Sequence, residues 1–389
     1  MGYALPYVTV LVCFAVMALI YAQRNEFEED RKMCNNILIA SIGLFYIFFA
    51  FRGYLCTDWR GYSEFYSDVS WSSILEITSS KYEAVFHEPG FTLLMCICKT
   101  ISNEYAFFVI AYTTLETVLF LRFLKRWNIG NMPFVFMLFM MFYGVAIMSN
   151  LMRNQMAIFI MLNTLEYIES KQPLKYFAGC FLAICFHSTF VLFFPLYFVL
   201  GRKINRWIYA VAFLVFFGIY ITKVSLVLAL LDMLGLGGTV GEKVKVYTEA
   251  FSEARQFSVS GTMEKFGMVL LIFLYYDRLT QKAKNIILIN SLLCMYFFYY
   301  VFSEFDVLSS RLAMNFSYSY WIIWIELLDG TRIQNNKRLL GFTLFMYCLY
   351  SQSVAYKQPA QEYDNFLFGA KSQTERLRVI DKTYEGVVD

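Results

Sequence analysis

Charge is scarce in this chain. Only 16% of its 389 residues are Asp, Glu, Lys or Arg, against about a quarter in an ordinary globular protein. Histidine occurs twice, proline six times and glycine 20 times. So little proline and glycine excludes collagen-like and low-complexity chains. A net charge of +3 leaves no basic footprint, so no nucleic-acid partner is expected. The nine cysteines lie mostly inside apolar runs, where they act as small buried apolar residues. Cys96 and Cys98 stand one residue too close for a paired zinc motif and have no second pair. A Walker loop, a dinucleotide glycine pattern, H-E-x-x-H and G-x-S-x-G are all missing, so neither metal nor cofactor is expected.

What the chain has instead is apolar surface. The apolar set makes up 59% of it, with 41 Phe, 29 Tyr and 6 Trp. Several apolar runs approach the roughly 20 residues that cross hydrocarbon. This excludes a soluble enzyme, a disordered scaffold and a secreted disulfide module. The fold class is all-α, a polytopic integral membrane protein. No Lys or Arg precedes Arg24, so the first run reads as a retained span rather than a cleaved signal. About twelve spans are expected, near 5–22, 35–51, 104–121, 132–149, 154–169, 174–187, 189–200, 207–228, 266–279, 285–302, 311–328 and 339–355. One transmembrane domain is expected over 1–355, with outer loops at 52–87 and 229–265, followed by a polar tail at 356–389.

Orientation follows from basic residues in short turns. The turns at 23–34, 122–131, 170–175, 201–206, 278–284 and 331–338 hold seventeen of the 33 Lys and Arg. Placing them in the cytoplasm puts 52–87, 150–153, 187–188, 229–265, 303–310 and the tail on the other face. The alternation works only if the apolar segment 88–101, led by Glu88-Pro89-Gly90, does not fully cross. It reads as a re-entrant or surface-lying segment. Irregular backbone at membrane depth is tolerated only when buried in protein or lining a wet cavity, so a cavity on the outer side is expected.

Ionisable groups in or beside spans are costly and mark function by default. In this chain they are Arg52 after the second span, Asp58 and Arg60 in Thr57-Asp58-Trp59-Arg60-Gly61-Tyr62, His87-Glu88, Arg153 with Asn150, Asn154 and Gln155, His187-Ser188, and Glu304, Asp306 and Arg311. All fall on the outer face in the charge-derived orientation. Each has a plain structural alternative. Arg52 and Arg311 would snorkel to headgroups, Asp58 and Arg60 would form a surface pair, Glu88 would cap a helix start, and His187 would pack at a helix end. Arg153 is harder to dismiss, because a helix start disfavours a cation unless an anion stands nearby. Guanidinium forks suit phosphate oxygens, and carboxylates or His accept a proton from a hydroxyl. Together they describe a metal-free site for a phosphate-bearing lipid and a hydroxyl nucleophile.

At these residues the chain resembles the EpsG-type branch of the Wzy polysaccharide polymerases. The resembling pattern is Arg52-Gly53, Thr57-Asp58 and Tyr62, then Glu88-Pro89-Gly90 with an apolar run, Arg153-x-Gln155, Phe186-His187-Ser188 and Ser310-Arg311-Leu312, in order across roughly 35–330. The resemblance implies a helical architecture of the GT-C type in a bacterial plasma membrane, with its active site facing the periplasm or outside. It implies a metal-independent glycosyltransferase of capsule, exopolysaccharide or O-antigen synthesis. Such an enzyme moves a growing glycan from undecaprenyl diphosphate onto a lipid-linked repeat unit, beside a Wzz-type chain-length regulator. Within it, Arg153 and Arg311 would hold the diphosphate with help from Arg52. Glu88 would be the base, with Asp58 competing, and His187 would orient the acceptor or share that role. Arg60, Tyr62, Trp59 and Gln155 would contact sugar or acceptor. Gly235, Gly237, Gly238 and Gly241 would give 229–265 the mobility of a lid. A transporter or flippase of lipid-linked sugars, a membrane acyltransferase using His187, and an O-antigen ligase remain as alternative readings.

Overall fold

A computed structural model of the chain describes residues 2–25, 27–75, 88–224, 226, 233 and 257–385. His87 and the glycines of the expected lid lie outside the described residues. The longer helices, in chain order, are α1 (Leu5–Arg24), α2 (Arg31–Ala50), α3 (Trp59–Asp68), α4 (Pro89–Ile101), α5 (Tyr105–Arg126), α6 (Met132–Met141), α7 (Gly144–Asn150) and α8 (Met152–Leu162). They continue with α9 (Pro173–Ile184), α10 (Arg206–Thr222), α11 (Val259–Leu279), α12 (Ala283–Val301), α13 (Asp306–Met314), α14 (Tyr318–Gly330), α15 (Gln334–Ala355) and α16 (Gln373–Glu385). Among the described residues there is no strand beyond one isolated antiparallel bridge, Arg52 with Asn365. The all-helical class is as expected.

The span count differs from the sequence reading. Among the described residues four helices are long and apolar enough to cross a membrane, over Leu5–Arg24, Glu28–Ala50, Tyr105–Arg126 and Ala283–Val301, or five if the pair α6–α7 is one broken span. The structure therefore supports four or five such spans and does not confirm about twelve. The reason lies in the runs after residue 150. The run read as 154–169 folds as an 11-residue α8, about 16 Å long, and every residue from Asn154 to Leu162 is buried in protein. Apolar composition there serves an interior helix rather than a lipid-facing one. The run at 189–200 breaks into a 3-10 segment, Ser188–Phe193, and a four-residue helix, Tyr197–Leu200. Helix α4, which lies before that stretch and is not among the twelve expected spans, has 13 residues, about 20 Å, short of a hydrocarbon core of about 30 Å.

The chain divides into two compact units, residues 1–194 with 338–389, and residues 195–337. In the first unit the interior is aromatic. Phe45 stacks on Phe136 at 4.7 Å, and Phe120 on Phe159 at 4.8 Å. In a bilayer, helix association depends on such packing and on interhelical hydrogen bonds, since lipid is as apolar as leucine. In the second unit α10, α12 and α14 share a tyrosine-rich interior. The Tyr296 and Tyr320 hydroxyls are 2.9 Å apart, Phe213 sits edge-on to Tyr296 at 5.1 Å, and Tyr318 donates to Ser291 Oγ at 2.7 Å.

Helix α6 stops at Phe142, and α7 leaves it bent by 73°. Tyr143 takes a left-handed φ of 65° at the break. The break frees carbonyls at the end of α6, and one of them, Met140 C=O, accepts from Gln352 Nε2 of α15 at 2.9 Å. Gln352 is only 3% exposed. Gln352→Leu strands that buried carbonyl, so it should lower stability by about 1–3 kcal/mol, read as a lower melting midpoint in detergent.

Candidate active site

The broken helix delivers the first part of the site. Helix α7 ends at Asn150, Leu151 interrupts, and α8 begins at Met152, which places Asn150 and Arg153 at one helix junction. Asn150 Oδ1 accepts from the backbone N–H groups of Thr57 at 3.1 Å and Asp58 at 2.9 Å. Its carbonyl accepts from the Tyr62 hydroxyl at 3.3 Å. One asparagine therefore pins the start of α3 to the α7–α8 junction.

Arg153 stands in the first turn of α8, where the helix dipole opposes a cation. The anion that position needs is present. The Arg153 guanidinium donates to Glu88 Oε2, and the two side chains are 19% and 14% exposed. The Tyr62 phenol is a second hydrogen-bonding partner of the same guanidinium. Glu88 precedes α4 in extended conformation, φ −77° and ψ 121°, without capping that helix by its side chain. It is free of the capping role and turned to the arginine.

The His187 turn packs against the same helix start. Gly90 N–H donates to Cys185 C=O at 2.8 Å. A Cβ at Gly90 would meet that carbonyl at 2.9 Å and the Phe186 ring at 3.0 Å, so only glycine allows this approach. His187 sits half-buried at the start of the 3-10 segment, with Nδ1 2.8 Å from Thr189 Oγ1. Residues 57–62, 88–90, 150–153 and 185–187 are thus brought together from four separate parts of the chain.

Other expected site residues are placed differently. Trp59 is buried, its indole donating to Cys56 C=O at 3.1 Å and its ring packed 4.7 Å from Tyr54. Arg60 is exposed and pairs with Glu64 and Asp381 at 3.3 and 3.8 Å. Gln155 is fully buried, and neither polar atom of its side chain has a hydrogen-bond partner among the described residues. Arg311 is exposed on α13 of the second unit. Arg52, 3% exposed, donates to Phe49 C=O and to Thr113 Oγ1 at 2.9 Å. Cys56 makes no nucleophile. Burial and the nearby Asp58 push its thiol up to about 12, though Arg52 and Arg376 pull the other way, and only a thiolate attacks.

One buried acid escapes the sequence reading. Glu116 lies fully buried on α5, one turn beyond Thr113, with Arg52 as its oppositely charged neighbour. Contacts of Tyr112 with Met152 and of Phe120 with Phe159 bracket it, so it lies level with Gln155 along α8. The signal was available as a lone carboxylate in Ala-Tyr-Thr-Thr-Leu-Glu-Thr-Val-Leu-Phe. No group of three or more His, Cys, Asp or Glu able to hold a metal occurs among the described residues.

In comparison with known families, the EpsG family model matches residues 35–367, most of the chain, and the protein belongs to that family. No curated protein and no solved structure matches it. Membership together with the apolar helices makes it a membrane protein of polysaccharide biosynthesis, in keeping with a polymerase-type function and a glycosyltransferase-type enzyme.

Two stability outcomes follow from the site. Glu116→Gln keeps the size of a buried carboxyl that has no hydrogen-bond partner among the described residues, so it should shift stability by only about 1 kcal/mol or less, seen as a near-unchanged melting midpoint in detergent. Asn150→Ala should cost more, about 1–3 kcal/mol, and should raise amide hydrogen exchange specifically at Thr57 and Asp58.

Proposed function

We propose that this protein is a polysaccharide polymerase that transfers a growing glycan from undecaprenyl diphosphate to the terminal hydroxyl of a fresh lipid-linked repeat unit, on the extracytoplasmic face of the plasma membrane. The observation that carries this reading is the Glu88–Arg153 pair with Tyr62 at its side. It joins a phosphate-binding group to a proton acceptor at one partly buried point.

The pair gives a physical order to the reaction. With no substrate bound, each charge answers the other. A diphosphate is a stronger partner for a guanidinium fork than one carboxylate, because it offers more oxygens and more charge. Donor binding would draw Arg153 onto phosphate and leave Glu88 partly desolvated and short of a cation. Freed of the guanidinium, its oxygens are open to an acceptor hydroxyl only where a donor is present. Glu88 takes the proton of the acceptor hydroxyl, the hydroxyl oxygen bonds to the anomeric carbon, and the bond from that carbon to the diphosphate oxygen breaks. The negative charge developing on the leaving diphosphate meets Arg153, the kind of preorganised electrostatic stabilisation that contributes most to such steps. Asp58, fixed through its backbone by Asn150, is the competing base, and His187 orients the acceptor from the adjoining turn. Arg52 serves the framework between α2 and α5. The assignment of Arg311 as a second hold on the diphosphate rests on the sequence resemblance alone.

Arg153→Ala, Arg311→Ala and Glu88→Gln, each produced at wild-type levels, should shorten or abolish the polymer ladder, with rates down 100-fold or more for Glu88→Gln, as expected for a lost general base. Full-length polymer at normal levels from all three would refute the assignment. Polymer formed by purified protein in detergent from lipid-linked repeat units, with no gradient, would separate an enzyme from a flippase.

A further inference from the structure

We propose that residues 356–385 form a strap that positions the 52–62 segment for catalysis, with Asp364 and Asn365 as positioning residues. The inference rests on the function just proposed. The strap straddles the end of the family match at residue 367, with Asp364 and Asn365 inside it.

The strap runs antiparallel to the chain that follows α2. Phe366 N–H donates to Phe51 C=O at 2.8 Å, Gly53 N–H to Asp364 C=O at 3.0 Å, and Cys56 N–H to Ala360 C=O at 2.9 Å. The Arg52–Asn365 bridge lies in the same register. Side chains of the strap also close the end of α2. The last four carbonyls of a helix lack partners within it. Here Asn365 Nδ2 donates to Ile47 C=O at 3.1 Å, the Tyr363 hydroxyl to Phe48 C=O at 2.9 Å, and Arg52 to Phe49 C=O. The Tyr363 ring lies flat on Phe48 at 4.3 Å.

The strap is itself anchored at both ends. Tyr356 stacks on Tyr7 of α1 at 3.6 Å, and the Tyr7 hydroxyl donates to Gln361 C=O at 2.7 Å. Arg376, 1% exposed, donates to Glu362 C=O and lies 3.3 Å from Asp364 Oδ2. Gln373 Nε2 reaches Ser63 Oγ of α3 at 3.3 Å. The strap therefore holds one edge of the 53–58 loop, while Asn150 holds Thr57 and Asp58 from the other side. Both holds act on the short loop that leads into α3 and to Tyr62, whose phenol stands beside the Arg153 guanidinium. The contact also explains the glycine of Arg52-Gly53, since a Cβ at Gly53 would collide with Asp364 Oδ1.

The test uses the full chain and two readouts, turnover of lipid-linked repeat units and amide hydrogen exchange. Gly53→Ala should lower kcat at least tenfold with the acceptor KM changed less than threefold, and should expose the Cys56 amide to exchange. Asp364→Ala removes the two nearest atoms the new methyl meets and leaves the Ala370 Cβ at 3.2 Å, so the double variant Gly53→Ala/Asp364→Ala should be less than about twofold slower than Asp364→Ala alone. Asn365→Ala, which keeps the backbone pairing, gives a milder variant that should lower kcat while leaving the melting midpoint within a few degrees. Additive losses in the double variant, or an exposed Cys56 amide with unchanged kcat, would overturn the positioning role. A wild-type protein that makes no polymer from lipid diphosphate repeat units sinks the proposed function and the positioning role with it. Exchange at Gly53 and Cys56 still decides whether the strap is there.

Discussion

The first unit is arranged around a cation at the wrong end of a helix. Arg153 occupies the first turn of α8, where backbone N–H dipoles repel positive charge, and it is mostly withdrawn from solvent. Such a group persists only if an anion is held against it. Glu88 supplies that anion from a segment 65 residues earlier, and much of the local structure follows from bringing it there. Proline at the start of α4 and glycine next to it let the helix begin close against the Cys185–Phe186 turn. The break between α6 and α7 turns the chain so that Asn150 and Arg153 emerge at the same junction.

A second arginine lies deeper. Arg52 closes the end of α2, where a cation is favourable, and donates to Phe49 C=O and to Thr113 Oγ1 of α5. The two arginines thus differ in kind. One sits where the helix dipole welcomes it and is enclosed by protein. The other sits where the dipole opposes it and is balanced by the Glu88 carboxylate. The same residue type at two helix ends yields a framework group and a candidate catalytic group.

Much of the candidate site is legible in the sequence. Glu88, Arg153, Tyr62, Asp58 and His187 were identifiable because ionisable and hydrogen-bonding residues beside apolar runs carry a desolvation cost that demands a reason. The alternation of basic turns predicts their convergence on one face. What escaped was the partner structure. Asn150 was visible as a polar residue, but its grip on Thr57 and Asp58 depends on a backbone break that no periodicity announces. Glu116 was overlooked because a single carboxylate inside a long run is outvoted by its neighbours. Trp59 and Arg60 stand next to each other in sequence, yet one faces the interior of α3's packing and the other faces solvent. Helix phase separates them, and a motif read as a string does not carry phase.

The sequence by itself determined the all-helical class, the membrane setting, the family and the chemical types that gather at the site. Those follow from composition and from order along the chain, which act locally. Helix length, and with it which apolar runs among the described residues stay continuous enough to cross a bilayer, is visible only in the tertiary structure. An apolar run reads the same whether lipid or protein buries it, and α8 is buried by protein. Pairing was likewise settled there, because which carboxylate answers which arginine depends on contacts between residues far apart in the chain. The segment after residue 355 looked like a polar tail for the same reason. Its charges are directed at one another and at α3, and its backbone is hydrogen-bonded to the turn after α2, a relation that exists only once the two stretches of chain lie side by side.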